Sequence, residues 1–373
     1  MKIVLCAAGS GGHIYPALRC AAELRRRWPQ CDIRFLSTRR AIEDTIFQQV
    51  SYPRIAVDFP RAPSVRGQPL VIFCLKIPRF LIQWVSGCRR VKNVLRAIGP
   101  DCVVGFGGLS AATAVIIARF SGIRTLIHEQ NAVPGRANQI AGWFATRVAV
   151  AYQPAQRFFS ARNSCVSGNP VRDDLEVVPG AVARKKLQLS EARFTIAVTG
   201  GSQGAQYLNE QVPRALARLS AAERRRVQVV HLSGTSDNEP IRQAYAAGQI
   251  LAQVFDFRRD MGTVYCAADL LICRAGAMTL AEVQHYGKPA ILVPYPYAGS
   301  HQRANARFLR DQGAAWLVEQ QAGFIEQCAT AVRRMMADES LRSAMADKSY
   351  ALRQDQAVQV LVDLMEQIIN GNA

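Results

Sequence analysis

Two short stretches carry the residue types best able to do chemistry. In the first, Gly9-Ser10-Gly11-Gly12 runs directly into His13. Imidazole titrates near neutral pH and is the commonest general base, so His13 beside a glycine turn is a candidate to take a proton from a hydroxyl. A histidine that only hydrogen-bonds near a helix start is the alternative. The second stretch is Cys273-Arg274-Ala275-Gly276-Ala277-Met278-Thr279-Leu280-Ala281-Glu282, where an apolar run breaks at a small-residue turn and enters helix-like sequence. A strand, a glycine turn and a helix N-terminus bring free backbone N–H groups and the positive end of the helix dipole to one point, which suits an anion. Glu282 falls about one turn into that helix. A carboxylate close to an anion-binding turn needs hydroxyls to accept from, and a ribose beside its own phosphates supplies them. A surface glutamate favoured by the dipole is the alternative.

The elements that must hold these stretches are legible as alternating strands and helices. Residues 2–8 read as a buried strand, 9–13 as a glycine turn, 15–27 as a helix and 32–37 as the next strand, which is a βαβ opening. The opening resembles a dinucleotide fingerprint. However, the second strand ends Leu36-Ser37-Thr38-Arg39 without the acid that holds the ribose of NAD. Residues 102–108 form another strand and glycine turn, with a helix over 111–119. Residues 125–131 make a strand whose polar end, His128-Glu129-Gln130-Asn131, faces the ligand side of a parallel sheet. Asn131 is therefore a site candidate and His128 a structural residue. A short helix over 135–144, a strand over 147–150, and a strand and turn over 165–172 presenting Arg172 follow. At Phe194 the pattern restarts, with a strand, Gly200-Gly201-Ser202-Gln203-Gly204 and a helix. Strands near 227–232, 252–254, 269–273 and 290–294 come next. The chain reads as two tandem doubly wound α/β domains with a cleft between them. The boundaries are 1–168 and 169–350, with the link near 170–179. An amphipathic helix near 357–370, within a terminal segment 351–373, is expected to fold back on the first domain.

Bulk properties narrow the function. The 373 residues are enough for two domains, 49% are hydrophobic, and the net charge is +18 from 46 Lys+Arg against 28 Asp+Glu. That balance points to a polyanionic partner: nucleic acid, an anionic membrane or a phosphorylated substrate. A generally basic, soluble surface is the blander reading. The ten cysteines form no C-x-x-C pair and several sit in apolar runs, so a disulfide framework or a zinc site is not expected. No Asp-x-Asp pair and no P-loop occur, and no metal site is expected. Neither a signal peptide at the start of the sequence nor a spanning helix is expected. Residues 70–94 are strongly apolar yet carry Lys76, Pro78, Arg79, Arg89, Arg90 and Lys92. Such a segment could dock on an anionic bilayer, or form a core helix pair with solvated basic edges.

Set in order, the motifs resemble a known family. Gly9-Ser10-Gly11-Gly12-His13-Ile14-Tyr15-Pro16-Ala17, His128-Glu129-Gln130-Asn131, Gly168-Asn169-Pro170-Val171-Arg172, Gly200-Gly201-Ser202-Gln203-Gly204-Ala205, Cys273-Arg274-Ala275-Gly276-Ala277 and His301-Gln302-Arg303-Ala304-Asn305-Ala306 are similar to the peptidoglycan N-acetylglucosaminyltransferases of glycosyltransferase family 28. The resemblance implies a GT-B fold, no cofactor, and inverting transfer of GlcNAc from UDP-GlcNAc to the C4 hydroxyl of lipid I, giving lipid II. It places Ser10, Gly11 and Gly12 near the sugar and diphosphate, and Asn131 and Gln302 on the GlcNAc. Arg172 and Ser202 fall on phosphate or sugar groups. Ala277, Met278, Thr279, Leu280, Ala281 and Glu282 line the nucleotide site, with Glu282 on the ribose. Phe257 and Arg258 stand at the uracil, which is held largely through backbone groups. His13 as base and Arg274 as a phosphate ligand complete the expected set. The implied partners are UDP-GlcNAc, lipid I, an anionic membrane surface and other cell-wall synthesis proteins, with no nucleic acid. The implied location is peripheral, on the cytoplasmic face of the inner membrane. The sequence departs from the family pattern at Leu109, where Tyr is frequent, at Arg258, where an apolar residue is usual, and at Ser10, which replaces a common Thr. Another lipid-directed GT-B transferase, a UDP-GlcNAc 2-epimerase and a non-catalytic nucleic-acid-binding protein are the rival readings. The His128–Asn131 cluster disfavours the first, and the lack of a set of acids disfavours the second.

Overall fold

Strands buried on both faces need apolar residues at every position, and β1 (Lys2–Cys6) shows the pattern. Its Ile3 and Leu5 enter one core and its Val4 and Cys6 the other. The structure, a computed structural model, describes residues 1–9, 11–57, 59–60, 70–172, 175–201, 204–234, 237–296 and 301–371, with 70–76 by backbone alone. It divides into two units, Met1–Pro170 with Gln356–Ala373, and Val171–Asp355.

The first unit continues through α1 (Gly11–Arg27), β2 (Asp32–Ser37), α2 (Ala41–Phe47), β3 (Arg54–Ala56), α3 (Leu70–Ile98), β4 (Cys102–Gly105), α4 (Leu109–Phe120), β5 (Arg124–Glu129), α5 (Arg136–Gly142), β6 (Arg147–Val150), α6 (Gln153–Gln156) and β7 (Ser164–Val166). Its seven strands are all parallel, in the order β3-β2-β1-β4-β5-β6-β7. The order reverses between β1 and β4, so the turns after these two strands flank the point where a doubly wound sheet opens a crevice.

The second unit runs α7 (Gly180–Lys186), β8 (Phe194–Thr199), α8 (Gln206–Leu216), α9 (Ala221–Arg226), β9 (Val227–Leu232), α10 (Glu239–Ala247), β10 (Leu251–Phe255), α11 (Met261–Ala267), β11 (Leu270–Cys273), α12 (Ala277–His285), β12 (Ala290–Leu292), α13 (His301–Asp311), β13 (Trp316–Leu317), α14 (Phe324–Ala337) and α15 (Glu339–Ala351). Its six parallel strands repeat the same winding, β10-β9-β8-β11-β12-β13, with the reversal between β8 and β11.

The last helix, α16 (Ala357–Ile369), belongs to the first unit. Val358, Leu361, Val362, Met365 and Ile368 recur at helical spacing and join the core formed by α1 and the β1 and β4 strands. Arg124 Nη1 donates to the Ile369 carbonyl at 2.6 Å, satisfying an orphan acceptor at the helix end.

Two expectations are corrected. The first helix begins at Gly11, not Tyr15, so Gly11, Gly12 and His13 form its first turn. Glycine resists helix by about 1 kcal/mol per residue in an interior, but first-turn N–H groups have no intrahelical bond to make. The chain before them is also held, because Gly9 N–H donates to Glu43 Oε1 at 2.7 Å. Residues 70–98 form one helix, not a pair, running straight through Pro78. The edge strands β3 and β13 are too short to carry a periodic signal. No helix among the described residues is long and apolar enough to cross a membrane.

Candidate active site

In the first unit the glycine turn is pinned by a carboxylate. Glu43, fully buried on α2, accepts from Gly9 N at 2.7 Å, Thr38 N at 2.9 Å and Thr38 Oγ1 at 2.6 Å. An acid therefore does reach the end of β2, but it arrives from α2 and meets the protein's own N–H and O–H groups. Gly9 sits at φ +99°, a conformation that favours glycine.

The first turn of α1 then delivers His13. Its Nδ1 lies 2.6 Å from the Phe106 carbonyl, which can only accept, so the neutral ring carries its proton on Nδ1 and keeps the Nε2 lone pair. The same carbonyl accepts from Gln130 Nε2 at 2.9 Å. Gln130 also bonds His128 Nδ1 at 3.1 Å, and His128 Nε2 bonds the Gly168 carbonyl at 2.8 Å. Burial pushes His128 down to about 4, so it is neutral and structural, as its place at the strand end suggested. Gly107 makes room for the imidazole. At φ +113°, a Cβ there would lie 2.5 Å from His13 Cε1 and Nδ1. Leu109 opens α4 and is exposed. Glu129, also buried, ties the following loop together. Its Oε1 accepts from Asn131 N and Nδ2, both at 2.9 Å, and its Oε2 from Gly135 N at 3.1 Å and Asn138 Nδ2 at 2.8 Å.

In the second unit the apolar run is β11 and the helix is α12, with Gly276 as its N-cap residue. The N–H groups of Ala277, Met278 and Thr279 have no carbonyl of their own helix to bond, and the N-cap residue, Gly276, makes no side-chain cap. Gly276 adopts φ −67°, which any residue tolerates, and a Cβ would meet nothing closer than Thr279 Oγ1 at 3.7 Å. Neither backbone nor packing requires glycine there. Asn305, buried on α13, donates from Nδ2 to the Ala275 carbonyl at 3.1 Å and holds the turn from behind.

Arg274 is buried against the same corner. Its Nη1 donates to the Val293 carbonyl at 3.0 Å, and the guanidinium lies 5.9 Å from the Tyr207 ring centre and 5.5 Å from that of Tyr295. Among the described residues no carboxylate pairs with it, and burial lowers it to about 10, so it stays charged. A buried cation held only by a carbonyl and ring faces is incompletely compensated, and an anion would complete it. Glu282 is buried on α12 and accepts from Tyr265 O–H at 2.6 Å.

The expected residues therefore fall into two groups, one in each unit. Gly11, Gly12, His13 and Asn131 lie in the first. Arg274, Ala277, Met278, Thr279, Leu280, Ala281, Glu282 and Gln302 lie together in the second, Gln302 accepting from Tyr295 N at 2.9 Å. Arg172 Nη2 reaches the Arg259 carbonyl at 3.4 Å, beside the β10–α11 loop. The Arg258 guanidinium is engaged by Asp260, Nε to Oδ1 at 2.9 Å and Nη2 to Oδ2 at 2.7 Å. Leu280 is buried in α12 and offers the site only backbone. Ser10 and Ser202 lie outside the described residues. Sequence reasoning did not find Glu43, Gly107, Gln130 or Tyr265 as site-shaping residues, because their partners are distant backbone and side-chain groups with no local signature.

Two parallel-sheet α/β units, each opening its strand C-termini at a glycine corner, have the architecture of the GT-B class. Family models agree: the glycosyltransferase family 28 N-terminal domain matches residues 3–150 and the family 28 C-terminal domain residues 195–364. The chain belongs to glycosyltransferase family 28. It is 34% identical over 367 residues, covering 97% of both chains, to the UDP-N-acetylglucosamine--N-acetylmuramyl-(pentapeptide) pyrophosphoryl-undecaprenol N-acetylglucosamine transferase of Syntrophus aciditrophicus. The Geobacter metallireducens enzyme of the same name is 33% identical, covering 98% of both. The crystal structure of Acinetobacter baumannii MurG superposes with a TM-score of 0.77 at 30% identity, over 98% of this chain and 100% of that one. A putative UDP-N-acetylglucosamine 2-epimerase from Listeria monocytogenes shares the fold alone, at 12% identity and a TM-score of 0.69 over 99% of this chain and 97% of that one.

Proposed function

We propose that the chain transfers GlcNAc from UDP-GlcNAc to the C4 hydroxyl of the MurNAc-pentapeptide of lipid I, with inversion, giving lipid II. The observation that carries this reading is the β11–α12 corner. Among the described residues it combines a helix N-terminus without a side-chain cap, a glycine that neither fold nor packing requires, a buried arginine without a carboxylate partner, and Glu282 further along the same helix. Those groups suit a nucleoside diphosphate, with N–H groups and Arg274 for the phosphates and Glu282 for the ribose hydroxyls.

In this reading His13 Nε2 takes the proton of the acceptor hydroxyl while its oxygen attacks the anomeric carbon from the face opposite UDP. The bond from that carbon to the β-phosphate oxygen breaks, and the electron pair leaves on the diphosphate. The α12 N–H groups, Arg274 and Ser202 meet the developing charge. Arg172 adds positive charge, Ser10, Gly11 and Gly12 approach the sugar and diphosphate, Asn131 and Gln302 orient the GlcNAc, and the backbone at Arg258 meets the uracil. Residues 1–168 serve the acceptor and membrane, 169–350 the sugar nucleotide, and 351–373 return to the first domain.

The acceptor is a lipid, and the first unit supports membrane docking. On α3, Leu81, Ile82 and Val85 are exposed beside Arg79, Arg89, Arg90 and Lys92, with Ile82 at 72%. Phe120 at the end of α4 and Trp143 after α5 are exposed at 73% and 75%. Apolar side chains among basic ones, in a chain of net charge +18, fit a peripheral site on an anionic bilayer. The cytoplasmic face is where UDP-GlcNAc is supplied, and other cell-wall enzymes would be neighbours there.

Transfer of labelled GlcNAc to a lipid I analogue tests the reading, comparing the unaltered chain with His13→Ala and Glu282→Ala. Absence of transfer by the unaltered chain would overturn it. Full activity of His13→Ala would remove the base alone. Sedimentation with anionic and neutral vesicles tests docking, and equal binding to both would count against the electrostatic part.

A further inference from the structure

Glu282 is the only carboxylate on α12, and it is buried. Helical side chains lean toward the N-terminus over the residues three and four positions earlier, here Thr279 and Met278. The carboxylate is thereby directed toward the uncapped turn, but direction alone does not fix its plane. Its neighbour on α11 does. Tyr265 is fully buried and donates its O–H to Glu282 Oε2 at 2.6 Å.

The tyrosine is itself clamped. Its ring stacks on Tyr286 with centroids 5.0 Å apart and planes 20° from parallel, and Tyr286 O–H donates to the Glu176 carbonyl at 3.1 Å. Gly262, one turn before Tyr265, closes the packing. A Cβ there would lie 2.4 Å from the Glu176 carbonyl oxygen and 2.7 Å from Tyr286 Oη. Burial and the adjacent Glu282 push the Tyr265 phenol well above its ordinary value, so it remains a hydrogen-bond donor throughout the working pH range.

We propose that Tyr265 is a positioning residue for recognition of the sugar nucleotide: its hydroxyl fixes the Glu282 carboxylate in the orientation that receives the ribose diol. The proposal rests on the assignment of Glu282 to the ribose. A locked carboxylate binds two adjacent hydroxyls without first losing rotamer freedom, whereas a released one must be ordered at each binding event. The stacked pair Tyr265–Tyr286 supplies the rigid backing, and the Tyr265 O–H supplies the orientation.

Tyr265→Phe removes only that hydroxyl and keeps the stack. Calorimetric binding of UDP and of 2′,3′-dideoxy-UDP to the full chain reads the effect. Loss of a hydrogen bond to a charged group predicts about tenfold weaker UDP binding, with dideoxy-UDP nearly unaffected, so the preference for the diol shrinks by about tenfold. With UDP-GlcNAc as substrate, the loss falls mainly in KM. Equal weakening of both nucleotides would mean a general packing role and would overturn the proposal, as would unchanged UDP binding. Glu282→Gln, with Tyr265 in place, separates the two levels of the argument. If that variant keeps the full preference for the diol, the ribose assignment fails and the proposal with it. If Glu282→Gln loses the preference while Tyr265→Phe retains it, only the positioning role fails. In the double variant, Tyr265→Phe should cause no further loss of preference, and an additional loss would also overturn the proposal.

Discussion

The fourth strand of each unit, β4 and β11, ends in a glycine corner that starts a helix, yet the two corners use glycine for opposite reasons. After β4, Gly107 and Gly108 hold φ +113° and +84°, and Gly107 leaves a gap that the protein fills with its own His13. After β11, Gly276 holds an ordinary φ of −67°, and a Cβ there would make only an ordinary contact, with Thr279 Oγ1 at 3.7 Å. One glycine is demanded from within, to seat a catalytic candidate. The other is demanded by nothing among the described residues, which fits a surface kept bare for the close approach of a ligand. The same strand–turn–helix syntax thus builds the proposed chemistry corner in one unit and the proposed binding corner in the other.

Gly107→Ala attacks the first corner. The new methyl must displace the imidazole and also occupy a left-handed conformation. If His13 is the base, kcat falls on the order of 10³-fold, comparable to losing a positioned general base. Steady-state transfer assays check this, and a kcat within about threefold of the unaltered chain would separate His13 from the chemistry.

Acid should test both units through their buried histidines. His128 in the first is lowered to about 4 and His231 in the second to about 3, from an ordinary 6.5, each chiefly by burial. His231 is sealed between Tyr245 Oη at 2.8 Å and Asn209 Oδ1 at 3.0 Å. Both native pKa values lie below the unfolded one, so the unfolded chain binds protons that the native chain refuses. Stability is complete above pH 6.5 and declines as pH falls through 6.5 toward the native values. Each histidine should cost on the order of 2–3 kcal/mol by about pH 4.5. Urea melts from pH 7 downward measure the sum. Imidazole NMR resonances of both residues should still report neutral rings at pH 5, and a charged His231 there would contradict the sealed site.

Gly276→Ala probes the other corner and should separate binding from folding. The methyl meets no strain and no contact closer than 3.7 Å, so the melting temperature should stay within a degree or two of the parent. A ligand phosphate against the turn would collide with it, and KM for UDP-GlcNAc should rise about tenfold. A melting temperature that drops while KM holds would reverse the comparison and make Gly276 a structural glycine.

Much of this arrangement was legible in the chain. Parallel strands buried on both faces are near-continuous apolar runs, so β1, β5, β8 and β11 stood out, and Gly276 and Glu282 took their places on α12 as the spacing required. The start of α1 was not legible, because two glycines oppose helix locally and the turn before it is held by the Gly9–Glu43 bond, spanning 34 positions. Tyr265 reaches Glu282 across 17 positions and Gln130 reaches the Phe106 carbonyl across 24. Contacts of that kind leave no periodicity behind. Cys6, Cys102 and Cys273, by contrast, looked like core residues, and all three are buried.

Arg258 sharpens the contrast at its weakest point, because it puts a charged side chain in the β10–α11 loop. The guanidinium is not loose. It grips Asp260 with two nitrogens, at 2.9 and 2.7 Å, and lies 4.7 Å from the Phe255 ring centre. Burial opposes ionisation of Asp260, but the Arg258 bonds outweigh it and hold the carboxyl below its ordinary value. The pair therefore closes on itself and contributes little charge to a nucleotide approaching α12. If the backbone of this loop is what meets the base, Arg258→Leu should change KM for UDP-GlcNAc by less than about threefold, the scale of a surface ion pair. Asp260→Ala should do more than Arg258→Leu, because it releases the guanidinium from its only bidentate partner among the described residues. A larger effect from Arg258→Leu would place the side chain itself on the nucleotide and give the binding corner a second cation beside Arg274.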